Sequence, residues 1–409
     1  VLEAGALLVP ALNLGTALVA ILVGTAMGVL LLALAGLIGA GTGVPTMVLL
    51  RPALGLRGSF LPTALNLAQL IGWTAFEFWV MALAANRVGQ ALFGFSNYHL
   101  WLFVFALWCV LLALGGPLVV VRQWLEKFGV WLVYGATIWL TAVLLTRYDV
   151  AALLRQPGAG GLPFLLAVDL VVAMPISWMP LVADYTRFAR NGRAAFWGTY
   201  LGYFLTNAWF YGLGALFLLT LHLPDTGPEQ LAAAILALTG GGVALVVILV
   251  DETDNAFADI YSAAVSLQNL WPRLSQRLLV ALIGLVSLLL AAFLTMTEYF
   301  SFLLLIGSFF VPLFGLLAAD YFVLRGRRYQ VEALYRSEGL YWYNSGINWV
   351  AVVVWLLGAG VYHLIARSLP WLGASLPAFV VTFLGYLLAA RLLRGRQLQP
   401  SQESEEATP

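Results

Sequence analysis

Met174-Pro175-Ile176-Ser177-Trp178-Met179-Pro180 lies inside an apolar run that extends over residues 164–186. Each proline lacks the N–H that would close a helical hydrogen bond, so each frees a carbonyl one turn earlier. In lipid a freed carbonyl is tolerated only where it is buried in protein or lines a cavity. A run long enough to span a bilayer and interrupted in its middle therefore points to a polar site at membrane depth. A hinge or a packing kink is the alternative reading.

The start of the chain repeats the theme. Leu2-Glu3-Ala4-Gly5-Ala6 places a glycine and a carboxylate inside an apolar run, which reads as a second broken segment. Because a spanning helix takes about 20 apolar residues, spans are predicted over 1–12, 14–40, 61–86, 99–121, 128–147, 164–186, 195–221, 238–266, 277–295, 298–324, 344–366 and 372–393. No basic stretch precedes the first of these, so it is no signal peptide. It reads as a truncated span whose native N-terminal part is missing. Breaks in the first and sixth positions suggest two inverted five-helix repeats plus two extra helices. One transmembrane transporter domain over 1–393 and a polar, disordered cytoplasmic tail over 394–409 follow.

Composition agrees. The chain is 62% hydrophobic and 10% charged, whereas a soluble protein of this length carries roughly a quarter of its residues charged. The exterior must face a lipid bilayer. A net charge of +1 argues against nucleic acid as a partner. The single cysteine, Cys109, and three widely separated histidines supply neither a disulfide framework nor a metal cluster. With both termini cytoplasmic, sixteen of the 20 basic residues fall on the inner side and four on the outer. That bias predicts a multi-pass protein of the inner (plasma) membrane, with no obligate protein partner evident.

Carboxylates at membrane depth cost several kcal/mol unless paired, protonated or facing water. Glu3, Glu77, Asp169, Asp251, Glu252, Asp254 and Asp259 all fall within spans, and no span interior carries a Lys or Arg to pair with them. Asp169, near the outer start of its helix, reads as structural. In the third span Gln69, Trp73 and Glu77 recur at i, i+4 and i+8, with Asn66 a turn earlier, and so share one helix face. In the eighth, Asp251, Asn255 and Asp259 follow the same rule, and Ser262 extends the stripe. Two polar stripes at mid-membrane depth define a site between them. An indole beside amide and carboxylate groups suits a flat heteroaromatic solute, the ring stacking while the acid takes N–H groups.

These residues, taken with several motifs, resemble the nucleobase:cation symporter-1 family. The likeness is carried by Gly41-Thr42-Gly43-Val44-Pro45, Arg51, Gly55, Gly58-Ser59 and Gly72-Trp73. It continues through Ala183-Asp184-Tyr185-Thr186-Arg187, Asn269-Leu270 and Gly307-Ser308-Phe309-Phe310-Val311-Pro312. The branch most similar is that of cytosine permeases and hydroxymethylpyrimidine transporters. The resemblance implies an all-α, LeuT-like membrane fold. It implies that Trp73 stacks the solute ring and that Glu77 and Asp259 bind its edge; the polar stripe and the two broken segments add Gln69, Pro175, Ser177, Trp178 and Glu3 to the expected site. It further implies a sodium site of carbonyls near Gly5 and the helix-eight positions Thr253 and Asp254. Asp254 replaces a hydroxyl expected there, which leaves Na+ and H+ both open as the coupling ion. Trp178 stands three residues beyond the aromatic expected near Pro175.

The predicted function is cation-coupled symport of a nucleobase-like small molecule by alternating access, without a cofactor. Cytosine or an aminopyrimidine such as hydroxymethylpyrimidine suits the excess of acid better than a uracil-like dione. A polytopic enzyme, a channel, or a transporter of this fold with an unrelated substrate are the rivals. An enzyme would need a catalytic loop or metal cluster, and the longest predicted loop spans only 325–343.

Overall fold

The structure, a computed structural model, describes residues 1–116, 127–221, 228–238, 241–293 and 299–393. The side chain of Asp251 and the predicted tail over 394–409 lie outside the described part. Twelve helices correspond to the twelve predicted spans: α1 (Leu2–Ala6), α2 (Leu14–Thr42), α3 (Phe60–Phe93), α4 (Tyr98–Gly115), α5 (Val130–Arg147), α6 (Phe164–Trp178), α7 (Gly192–Leu221), α8 (Gly241–Leu270), α9 (Gln276–Ala291), α10 (Tyr299–Ala318), α11 (Trp349–Ser368) and α12 (Ser375–Leu393). Eight of the described helices are long and apolar enough to cross a membrane. The 30-residue α8 carries its acids in mid-helix, and α6 and α9 are shorter apolar helices. The fold is all-α and LeuT-like.

Local chemistry sets the helix ends. The side chain of Asn13 accepts from the Thr16 N–H at 2.8 Å, capping α2. Gly43, with φ +72°, closes its other end in the left-handed conformation that glycine adopts without penalty. Asp169 is indeed structural: its carboxylate accepts from the backbone N–H groups of Ala374 and Ser375, capping α12 from α6.

Small residues let backbones meet. Gly24, Gly28 and Gly39 of α2 leave space that Val171, Pro175 and Ala183 fill, so α2 and the sixth segment pack at close range. Gly5 lies against the Tyr211 carbonyl, and Gly214 against that of Leu2, which seats α1 on α7. Gly5 was expected at a helix break. It stands instead inside the helical turn Leu2–Ala6, and close packing accounts for the glycine.

The buried apolar side chains form two large clusters. One lies mainly on α1, α2, α6 and α10–α12, the other mainly on α3, α4, α8 and α9, and α7 contributes to both. Trp73 reaches from α3 into the first cluster, and Trp178 packs on both. Apart from α7, which is shared, positions one and two of each repeat fall on one side and positions three and four on the other.

At the end of the molecule where α3 begins and α8 finishes, several motif residues join in one buried network. Arg51 donates to Asn269 Oδ1 through Nε at 3.1 Å and Nη2 at 2.7 Å, and through Nη1 to the Leu334 carbonyl at 2.7 Å. Asn269 Nδ2 donates in turn to Ser59 and Thr63 at 3.1 and 2.9 Å. Asp184 accepts from the Thr46 backbone N–H at 3.0 Å, tying the second half of the sixth segment to the residues after α2. These positions hold the scaffold together.

Candidate functional site

The sixth segment is interrupted after Trp178. Pro175 is absorbed inside α6, and the chain leaves helical geometry at Met179–Leu181, around Pro180, before a second short helix at Val182–Thr186. The carbonyls this frees are claimed by amides of α3. Gln69 Nε2 donates to the Ser177 carbonyl at 2.8 Å, and Asn66 Nδ2 to that of Pro180 at 3.5 Å. Half of the polar stripe on α3 thus satisfies the broken backbone of its neighbour.

The other half of that stripe faces a cavity of about 370 Å³ between the two clusters, within the range of small-molecule sites. Glu3, Trp73, Glu77, Ser177, Trp178 and Asp259 all line it, drawn from α1, α3, α6 and α8. Gln69 and Pro175, expected in the site, do not. The Gln69 amide is spent on Ser177 and Asn66, and Pro175 turns its ring against Gly28 of α2. Thr253, Asp254 and Gly5 also lie off the cavity wall. The Thr253 hydroxyl donates to the Val250 carbonyl at 2.7 Å.

The indole of Trp73 is fixed edge-on by Phe76 and Phe302, with ring centroids 6.0 and 5.3 Å away. Gly72 lets Phe302 come this close, since a Cβ there would stand 3.2 Å from its ring. Trp178 and Tyr203 of α7 form a second aromatic pair, 6.3 Å between centroids. Trp178 is therefore where a second aromatic surface enters the cavity, three residues beyond the position where one was expected.

Four carboxylates share the cavity wall: Glu3, Glu77, Glu252 and Asp259. Glu77 is near enough to Asp259 and Glu252 for their charges to interact, as is Glu3 to Glu252. Among the described residues, no Lys, Arg or His side chain lines the cavity. Two acceptor atoms of the lining, Glu77 Oε2 and Asn207 Oδ1, are buried with no hydrogen-bond donor among the described residues. Sequence reasoning left Glu252, Tyr203, Asn207 and Phe210 out of the site. The last three recur at helical spacing on α7, and the adjacent polar pair Thr206-Asn207 in an apolar span was the available signal. It also missed the helix Pro228–Ala237 between α7 and α8, whose Ala232 and Ile235 close part of the wall.

A central cavity between two packed bodies, entered by an interrupted helix, defines a carrier of the LeuT-like class. Comparison with known proteins makes the class specific. The profile of the family described as "Permease for cytosine/purines, uracil, thiamine, allantoin" matches residues 1–388. The chain belongs to this nucleobase:cation symporter family. Its members are permeases, so the chain is a multi-pass membrane transporter of that family and not an enzyme. It is 26% identical over 370 residues to the hydantoin permease of Microbacterium maritypicum, covering 85% of this chain and 74% of the relative. It is 28% identical over 342 residues to the cytosine permease of Escherichia coli, covering 82% and 75%. Among solved structures, the fold is similar to Mhp1, a nucleobase-cation-symport-1 family transporter, in a closed conformation with bromovinylhydantoin bound. The TM-score is 0.83 at 23% identity, over 98% of this chain and 91% of the other. A Na+-coupled sialic acid symporter matches at TM-score 0.62 and 14% identity, over 96% and 89%. These two likenesses speak to the fold alone.

Proposed function

We propose that this protein carries a flat, N–H-rich nucleobase-like solute, cytosine or an aminopyrimidine such as hydroxymethylpyrimidine, in symport with a cation across the inner (plasma) membrane. Both termini would be cytoplasmic, as the distribution of basic residues suggests. The observation that carries the reading is the pairing of a fixed indole with acceptors that lack donors. Trp73 offers a face, while Glu77 and Asn207 hold buried acceptor atoms awaiting N–H groups. A uracil-like dione turns acceptors of its own toward such a wall and suits it less. Alternating access would arise from rocking of the two packed bodies about this site.

Trp73→Ala tests the stacking role. The variant should fold in detergent yet lose about 1–3 kcal/mol of solute binding, the range for one base-on-aromatic stack. Trp73→Phe should recover part of it. Unchanged affinity in the alanine variant would return Trp73 to a packing role.

For the coupling ion we favour Na+, with H+ as the second reading. Thr253 is buried and keeps a hydroxyl that a proton carrier would not need, and Asp254 beside it adds a carboxylate oxygen. Carbonyls near Gly5 would complete the shell. Sodium at fixed pH should then tighten solute binding roughly 5- to 150-fold, the usual span of coupling energies. Asp254→Asn or Thr253→Val should abolish that enhancement. Binding indifferent to sodium, with uptake driven by a pH gradient alone, would decide for protons.

A further inference from the structure

Arg187, Arg190 and Arg193 crowd the turn where the sixth segment runs into α7, and no Asp or Glu follows them before α7 ends at Leu221. Among the described residues none of the three forms an ion pair. The nearest acid in sequence, Asp184, is buried and accepts from the Thr46 N–H, so it offsets part of the Arg187 charge only. Arg187 is fixed in place. Its Nη2 donates to the Tyr261 hydroxyl of α8 at 3.2 Å, its Nε donates to the Asp184 carbonyl at 3.2 Å, and its guanidinium lies 4.7 Å over the Phe188 ring. Arg190 and Arg193 are exposed beside it. The side chain of Asn191 accepts from the Ala194 N–H at 2.8 Å, and the start of the 30-residue α7 adds the positive end of a helix dipole to the same spot.

Rings locate this turn against the bilayer. Phe196, Tyr200 and Phe204 stack along α7 with centroids 6.0 Å apart at each step, and Trp197 meets Phe196 and Tyr200 edge-on at 5.2 and 6.1 Å. Trp197, Leu201 and Leu205 recur every four residues on an exposed apolar face, and Arg193 stands one turn before them. Trp and Tyr belts sit at headgroup depth, which puts the three guanidiniums at the level of the lipid phosphates. We propose that the turn between the sixth segment and α7 binds the headgroup of an anionic phospholipid. Arg190 and Arg193 take its phosphate in the two-pronged geometry that guanidinium favours. Arg187 supplies a third, fixed charge, and the acyl chains lie along Trp197, Leu201 and Leu205.

Dioleoyl phosphatidylglycerol and dioleoyl phosphatidylcholine test it, since they share acyl chains and a phosphate and differ in net charge. Binding of each to the purified full-length carrier in detergent would be measured by native mass spectrometry. The anionic lipid should bind at least about tenfold more tightly. The double change Arg190→Gln with Arg193→Gln should weaken it about 10- to 30-fold, as expected for two cations at a membrane surface, and leave the zwitterionic lipid unaffected. Arg273→Gln with Arg277→Gln, at two exposed cations between α8 and α9, should alter it less than about threefold. An excess of inorganic phosphate should not compete. Equal binding of the two lipids in the unmodified protein would overturn the proposal whatever the variants do, so a variant that misfolds leaves the test intact. Equal losses from the two double changes would assign the effect to charge spread over the whole face, and the site would fall. Displacement by phosphate would make the occupant a free ion, and the lipid reading would fall with it.

Discussion

Arg51→Leu should lower the stability of the detergent-solubilised protein by about 3–5 kcal/mol, the range for dismantling a buried, hydrogen-bonded charge. Arg51 is 5% exposed and donates to Asn269 Oδ1 and the Leu334 carbonyl. Leucine would leave both acceptors buried without donors. It would also release Asn269, whose amide holds Ser59 and Thr63, so the start of α3 and the end of α8 would loosen together. Arg51→Lys should recover only part of the loss, because an ammonium cannot reproduce the planar fork that spans these acceptors. Denaturant or thermal midpoints of the variants check this. An unchanged midpoint in Arg51→Leu would mean that water replaces the guanidinium at no penalty.

Glu77→Gln should move stability and binding in opposite directions. In the empty protein a buried carboxylate with an unpartnered oxygen is a liability, and an amide of the same shape should raise stability by about 1–3 kcal/mol. Solute binding should fall on the order of 10- to 100-fold, since a hydrogen bond to a charged group is exchanged for one to a neutral group. The loss should be larger for an aminopyrimidine than for a uracil-like ring, and Asp259→Asn should show the same bias. Thermal melts of the empty protein, paired with titrations of both ring types, separate the two effects. Equal losses for the two rings would assign these acids to coupling or folding and not to recognition.

The spans were legible in the sequence because lipid sets their length and apolarity so strictly. The mid-membrane acids were legible because lipid makes them expensive. What could not be read was how each polar side chain is used. Gln69 and Trp73 stand one turn apart on the same face of α3, yet one bonds a carbonyl of α6 and the other lines the cavity. The difference depends on where the sixth segment breaks. Of its two prolines, only Pro180 lies at the interruption, while Pro175 stays helical against the space left by Gly28. That choice is made by a contact between segments distant in sequence. The helix Pro228–Ala237 escaped notice for a different reason, being short and set in a connection rather than a span. Its opening proline, a favoured first residue of a helix, was the cue available.

The two separate hydrophobic clusters carry an implication for how substitutions should sort. Each cluster is a solid with its own packing, and damage within one should appear as a lower melting temperature. The rings of Trp73 and Trp178 belong to the seam, since one reaches across it and the other touches both sides. Changes there should leave each solid intact while altering how readily one slides past the other. A mutational scan scored separately for abundance and for turnover should therefore split along the seam. Residues that set speed would be found beside the solute, and residues that set yield within the two masses that flank it.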